Sequence, residues 1–475
     1  MQDPTILWFR RDLRLSDHAA LSAAVARGGP VIALFIRDAQ VDALGAAPKF
    51  RLEMGLAALA QRLEAAGNRL ILRSGPAREV LEEVIEETGA GAVHWQRLYD
   101  PEAIERDSRV KAALKKRGTE AHSFAGHLLF EPWQVATQKG DFYKVYSPFW
   151  RAVKGRDLPE TQAAPSEIPA PRAWPDSETL SDWGLSAAMN RGAEVVAQHV
   201  SAGEEAAQQA LALFARDRIG DYADQRNFPG VAATSDLSQY LSLGEISPLS
   251  CWQAGQRAMA AGKDGAETFL KELVWREFAY HLMYHSPAML DENWREGWQD
   301  FGWNEDPDTP DVLAWKQGRT GVEIVDAAMR ELYVTGRMHN RARMVAASYL
   351  TKHLLCHWRI GQAWFEECLV DWDPASNAMG WQWVAGSGPD AAPYFRIFNP
   401  DTQATRFDRN GSYRSRWLAE GQGDPGPEAL AFYDAIPRAW NLSPGDAPAR
   451  PSLTLAEGRE RALAAYGEMK DAAEA

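Results

Sequence analysis

Cysteine is nearly missing from this 475-residue sequence: only Cys251, Cys356 and Cys368 occur, and no two of them form a CxxC. That excludes a disulfide framework, a zinc ribbon and a four-cysteine iron–sulfur cluster, and no metal site is expected. Long apolar runs are missing as well. Those at residues 31–36 and 210–215 stop at six residues, where a bilayer span needs roughly 18. The first residues, Met1 to Thr5, show no basic stretch backed by an apolar one, so no secretory signal and a cytoplasmic location are expected. Positive charge is in deficit, 51 Lys and Arg against 65 Asp and Glu for a net −14. A protein that coats nucleic acid without specificity is thereby excluded. A local basic patch is not, because salt screens distant carboxylates over about 10 Å. The N-terminal region also lacks GxGxxG and GxxxxGK[ST], so neither a dinucleotide fingerprint nor a P-loop is present there.

Tryptophan, in contrast, is abundant: 19 residues, within a 45% hydrophobic composition that suffices for two or three domains. Short β-rich runs at 6–9, 31–36, 69–72, 92–95 and 121–124 alternate with helical patterns at 17–26, 49–66, 77–88 and 101–116. This alternation predicts an α/β domain over 1–126 built on a doubly wound, parallel, five-stranded sheet. Six prolines between residues 148 and 175 predict a surface connection, and 127–200 is read as a linker. Beyond about residue 200 strand signals vanish. Ala207, Ala210, Leu211 and Phe214 recur at helical spacing, and 201–475 is expected to be all α.

Chemistry must come from the helical half. Thr234, Ser235 and Ser238 place three hydroxyls before a helical pattern, which suits a diphosphate or serves as a plain cap. Glu272 and Trp275 share a helix face, where a carboxyl beside an indole suits a planar heterocycle, or forms a core tryptophan with a solvated neighbour. Asn340 and Met344 share another face, with Arg341 and Arg343 beside them, as in a site reading a nucleobase next to a phosphate or at an ordinary basic helix end. The segments DWDPASNAMGWQW at 371–383 and DAAPYFRIFNP at 390–400 fit no ordinary core helix or strand.

Taken in order, WFRRDLRL at 8–15, TSxLS at 234–238, ELxWREF at 272–278, VDAAMR at 325–330, MHNRxRM at 338–344 and WQW at 381–383 resemble the DNA photolyase and cryptochrome family, over residues from about 5 to 410. The likeness is greatest to its class I cyclobutane pyrimidine dimer photolyases. The resemblance implies an N-terminal antenna domain and a helical domain binding FAD. By motif, Tyr222, Thr234, Ser235, Asp236, Leu237, Ser238, Phe269, Arg343, Asp371, Trp372, Asp373 and Asn377 would hold the flavin. Arg226, Glu272, Trp275, Asn340, Arg341, Met344, Trp383 and Gln403 would contact the lesion or its DNA, with Arg406 in the same basic groove. Glu272 and Asn377 would also serve the chemistry, and Trp381, Trp358 and Trp303 would carry electrons to the flavin.

The implied activity is light-driven repair. Excited FADH⁻ passes an electron to a flipped-out dimer in ultraviolet-damaged DNA, the ring splits, and the electron returns. The alternative is a cryptochrome-type blue-light sensor without repair. An amide at 377 favours repair, since a carboxylate there would repel the reduced anion. Further expectations are a monomer with no obligate protein partner and no membrane contact, and an antenna site left open between methenyltetrahydrofolate, a deazaflavin, a second flavin and no pigment at all, because Ile104 replaces the folate-type Asn beside Glu105. Three residues depart from the family pattern: His18 for Asn, Glu323 for Pro and Met379 for Gly. If position 379 needs φ > 0, Met there would cost about 1 kcal/mol and shift Asn377.

Overall fold

The computed structural model describes residues 2–390 and 395–474, so residues 391–394 of the 390–400 segment lie outside the described part. Its contacts form two compact units: residues 1–188, 201–220 and 235–287, and residues 189–200, 221–234 and 288–475.

The first unit is built on five parallel strands, β1 (Thr5–Phe9), β2 (Val31–Arg37), β3 (Leu70–Ser74), β4 (Ala92–Gln96) and β5 (Glu120–Phe124), in the order β3-β2-β1-β4-β5. β1 and β4 are buried throughout, as strands covered by helices on both faces must be. Ligands of such sheets bind at the carboxyl ends of the strands where the order reverses, here between β1 and β4. Beside it, the guanidinium groups of Arg10 and Arg106 lie 4.4 and 4.9 Å from the centre of the Trp8 ring. Arg10 binds both Asp107 oxygens at 2.9 Å, and Arg106 reaches Asp38 at 2.8 Å.

His18 has a clear role. Its Nδ1 accepts from Leu21 N–H (3.1 Å) to cap the Ala19–Ala26 helix, while Nε2 meets Asp12 at 3.1 Å. The proline-rich stretch is docked on the sheet domain: Ile168, 1% exposed, donates its N–H to Ala66, and Val31 N–H donates to Pro169. Also within this unit, Arg51 and Glu245 form a two-point ion pair with both side chains 0% exposed.

The second unit is helical among the described residues, apart from a single bridge between Asn304 and Cys356. Proline in the first turn and a side-chain cap start three of its helices, Pro310–Lys316, Pro374–Ala385 and Pro400–Phe407. Met379 sits inside the second of these, and φ is not positive there. The feared strain is therefore absent, because an ordinary helical turn accepts Met as readily as Gly. Glu323 opens the Glu323–Thr335 helix, where a carboxylate suits the positive helix end and accepts from Arg414 at 2.6 Å. No helix among the described residues is long and apolar enough to cross a membrane.

Candidate functional site

The expected flavin residues divide between the units. In the first, Asp236 adopts a left-handed conformation (φ 56°) and Leu237 a right-handed one, a sequence that turns successive N–H groups toward one concave side and makes an anion nest. Ser235 Oγ lies 3.5 Å from Leu237 N–H, and Ser238 opens the short helix that follows. The 20-residue Ala266–His285 helix carries Phe269, Glu272 and Trp275 at one-turn spacing. Phe269 is buried against Phe214, with ring centres 4.9 Å apart. Glu272 and Trp275 stay partly exposed, and the Trp275 indole lies flat on Tyr146.

In the second unit Arg343 Nη2 donates to both Asp371 oxygens (3.0 and 2.8 Å), while its Nε donates to the Met338 carbonyl (2.8 Å). This clasp ties the MHNR loop to the DWD segment. Asp373 accepts from Ser376 N–H at 2.9 Å and so starts the helix that carries Asn377, Trp381 and Trp383. Asn377 Nδ2 donates to the Gln362 carbonyl (3.1 Å), which orients the amide with Oδ1 left to accept from a ligand. The indole N–H groups of Trp372 and Trp381 are buried without a hydrogen-bond partner. Tyr222 is buried, with the Arg226 guanidinium 5.5 Å from its ring. Taken unit by unit, the turn at Asp236 and Leu237 in the first suits an anion, and the oriented amide and two unsatisfied indole donors of the second suit a polar heterocycle.

Asn340 is the first residue of the Asn340–Ser348 helix and is exposed. Its cap is His339, whose Nδ1 accepts from Arg341 N–H at 3.1 Å. Burial, then Arg341, Arg343 and Arg226, push the His339 imidazole down to about 4, so it caps as a neutral ring. A carboxylate there would neutralise the arginines; an imidazole does not. Arg341 Nη2 donates to Asn227 at 2.7 Å and its guanidinium stacks 4.4 Å from the Phe407 ring, with Arg406 5.0 Å from the same ring. Burial and the charges of Arg406 and Arg226 hold Arg341 below its ordinary value. Arg406, Phe407 and Arg409 line a concavity of about 540 Å³ with Phe228, Gly230 and Val231. Gln403 sits on the Pro400–Phe407 helix with Oε1 buried and unbonded. Met344 is partly buried against the core, and Trp383 Nε1 donates to the Asp390 carbonyl at 3.2 Å.

Of the three expected electron carriers, Trp358 and Trp303 are brought close by the Asn304–Cys356 bridge. Asn304 N–H donates to Leu355 and His357 N–H donates to Asn304. His357 therefore stands between them, with ring centres 5.1 Å from Trp303 and 5.4 Å from Trp358. Trp381 makes its ring contacts with Phe365 and Trp315 instead, and a methyl group at Gly361 would overlap its indole. Tyr146, Asn227, Phe407, His357 and Gly361 escaped the sequence reading. Tyr146 and His357 had a signal, lying in the aromatic-rich YKVYSPFW run and next to Trp358; the others had none.

The sequence profile described as the FAD binding domain of DNA photolyase matches residues 269–468, and that described as DNA photolyase matches residues 5–171. The deoxyribodipyrimidine photo-lyase of Agrobacterium fabrum is 45% identical, with 98% of each chain covered. A crystal structure of a class III photolyase from Agrobacterium tumefaciens superposes with a TM-score of 0.91 at 43% identity, covering 99% of this chain and 98% of that one. A Synechocystis cryptochrome structure reaches 0.84 at 28% identity, covering 98% and 99%. The chain belongs to the DNA photolyase family. The motifs suggest class I within it, whereas this structural relative is a class III photolyase.

Proposed function

We propose that the chain is a light-driven lyase that splits cyclobutane pyrimidine dimers in DNA, with FAD as its cofactor. The observation that carries the reading beyond family membership is the arginine cluster of the second unit. Arg341, Arg406 and Arg409 have no carboxylate within ion-pair distance among the described residues, in a chain of net charge −14. Cations left unpaired in an acidic protein suit phosphates.

A reduced flavin held by these residues would supply light-driven electron transfer to the dimer and take the electron back. The protein's residues bind and orient. Thr234, Ser235, Ser238 and the N–H groups around Asp236 and Leu237 would hold the diphosphate; Tyr222, Phe269, Asp371, Trp372 and Asp373, with Arg343 clasped to Asp371, would hold the rest; Asn377 Oδ1 would accept a hydrogen bond from the flavin. Arg226, Arg341, Arg406 and Gln403 hold DNA while the dimer leaves the stack, at a cost of a few kcal/mol that is lower for a damaged site. By motif, Trp275 and Glu272 of the first unit and Asn340, Met344 and Trp383 of the second would contact the dimer, and hydrogen bonds from Glu272 and Asn340 to its polar edges would strengthen as negative charge arrives. Trp381, Trp358 and Trp303 relay electrons to refill the flavin and stand outside the repair cycle.

The test is a repair assay on an oligonucleotide with one thymine dimer, in light and in darkness. Repair confined to the light, and flavin released by acid, are expected; a chain-linked flavin, or absence of repair with flavin reduced beforehand, defeats the reading. Trp381→Phe should abolish light-driven reduction of oxidised flavin and leave repair intact when the flavin is reduced chemically.

A further inference from the structure

Trp275 and Tyr146 form a face-to-face ring pair in the first unit, with centres 3.6 Å apart and planes 5° from parallel. The other ring pairs around the Ala266–His285 helix meet at about 5 to 6 Å, and most are tilted or edge-on, for example Phe149 with Phe278 (5.3 Å, 49°) and Phe214 with Phe269 (4.9 Å, 52°). Aromatic pairs left to themselves avoid a face-to-face sandwich in favour of offset or edge contacts. Something besides mutual attraction therefore holds this one.

The tether is visible. Tyr146 Oη donates to the Lys271 carbonyl at 2.7 Å, four residues before Trp275 and so on the same helical turn. Hydroxyl and ring thus grip one turn at two points. Tyr146 is itself buried and opens the Tyr146–Val153 helix, whose Phe149 packs on Phe278 and His281. The tyrosine cannot swing away without unseating that helix. The indole it backs keeps part of its surface exposed.

We propose that Tyr146 is a positioning residue for the lesion. It closes the rear face of Trp275 and fixes the plane and height of the indole, so that one flat face is presented to a saturated pyrimidine ring. This rests on the reading of Trp275 as a wall of the dimer pocket. A tryptophan on a helix without such backing explores several rotamers and loses them when a ligand lands on it; ordering a rotamer-rich side chain costs a binding site about tenfold in affinity. Tyr146 removes that cost in advance. It leaves non-specific attraction to phosphates untouched, because that belongs to the arginines.

The experiment uses the full-length, flavin-loaded protein and measures affinity for a duplex with one thymine dimer, affinity for the undamaged duplex, and repair per absorbed photon at saturating dimer. Tyr146→Leu should weaken dimer binding about tenfold, leave undamaged binding unchanged, and keep the saturated yield. Tyr146→Phe, which retains the ring, should restore dimer affinity to within about threefold of the parent. Trp275→Ala, measured in parallel, should lose more than Tyr146→Leu. Parental dimer affinity in Tyr146→Leu while Trp275→Ala loses it overturns the proposal; parental affinity in Trp275→Ala overturns the pocket reading beneath it. If Tyr146→Leu cannot hold flavin, Tyr146→Met carries the same measurement. An equal loss on damaged and undamaged duplex marks Tyr146 as structural only and ends the assignment, whereas a Phe variant as weak as Leu on damaged duplex alone assigns the positioning to the hydroxyl tether.

Discussion

In the first unit Arg51 and Glu245 are both 0% exposed and bonded to each other, and Arg10 and Arg106, beside Trp8, are paired with Asp107 and Asp38. In the second unit Arg341 and Arg406 lie against Phe407, and with Arg409 they form no ion pair among the described residues, the neighbouring Asp408 being paired with Arg414. The same side chain does opposite work. A closed pair holds elements of the fold in one arrangement and is silent toward ligands. Open guanidinium groups, supported on an aromatic ring and capped by a neutral histidine, add little to folding and keep their charge for a phosphate.

The widest gap between the two regions should appear in Arg51→Met. Removing one partner of a fully buried pair costs about 3 to 5 kcal/mol, so denaturant unfolding should show a large loss while DNA affinity of the folded fraction stays unchanged; adding Glu245→Leu should recover much of the stability. A smaller effect concerns Glu277, also in the closed region, 3% exposed and accepting from Leu129 and Phe130 N–H groups. Burial lifts its carboxyl from 4.5 to about 7, against the opposing pull of Arg276. Between those values the folded chain keeps a proton that the unfolded chain releases, so this group's contribution to stability falls as pH rises from about 4.5 to about 7 and is level above. Glu277→Gln should flatten that part of a stability–pH curve, and an unchanged slope would count against a protonated native carboxyl. The smallest effect should be Arg341→Ala or Arg406→Ala: DNA binding about tenfold weaker and the salt slope lower by about one, with unfolding unmoved. Loss of stability in these variants would erase the contrast.

Much of the fold was legible because strands buried on both faces are short apolar runs, and β1, β2 and β4 sit within a residue or so of where such runs fall. Helix starts were less legible. The pattern from Lys49 missed that the helix begins at Ala46 with Pro48 in its first turn, and the pattern from Asp17 missed that His18 is the cap. Imidazole is an unusual cap, yet His18, His339 and His357 all accept through Nδ1 from a backbone N–H of the first turn. The proline-rich stretch read as a surface connection since periodicity says nothing of a segment that buries isolated residues such as Ile168. At the site, residues with distinctive chemistry could be picked out from sequence: the hydroxyl cluster, the carboxylate beside an indole, the MHNR run. Supporting residues could not, since Tyr146, Asn227 and Phe407 acquire their roles only through partners more than a hundred residues away, or in the case of Phe407 more than sixty from Arg341.

The Trp381 indole packs directly on Gly361. In the language of mutational libraries, the two positions are epistatic. While residue 381 is tryptophan, a screen that randomises position 361 should return glycine alone, since even one methyl would evict the ring. Once residue 381 is trimmed to a smaller side chain, alanine should become acceptable at 361 and gain helix propensity inside the Trp358–Cys368 helix. The indole is thus kept at a standing cost to the helix beside it, and mutational drift at position 361 is barred for as long as that indole is needed.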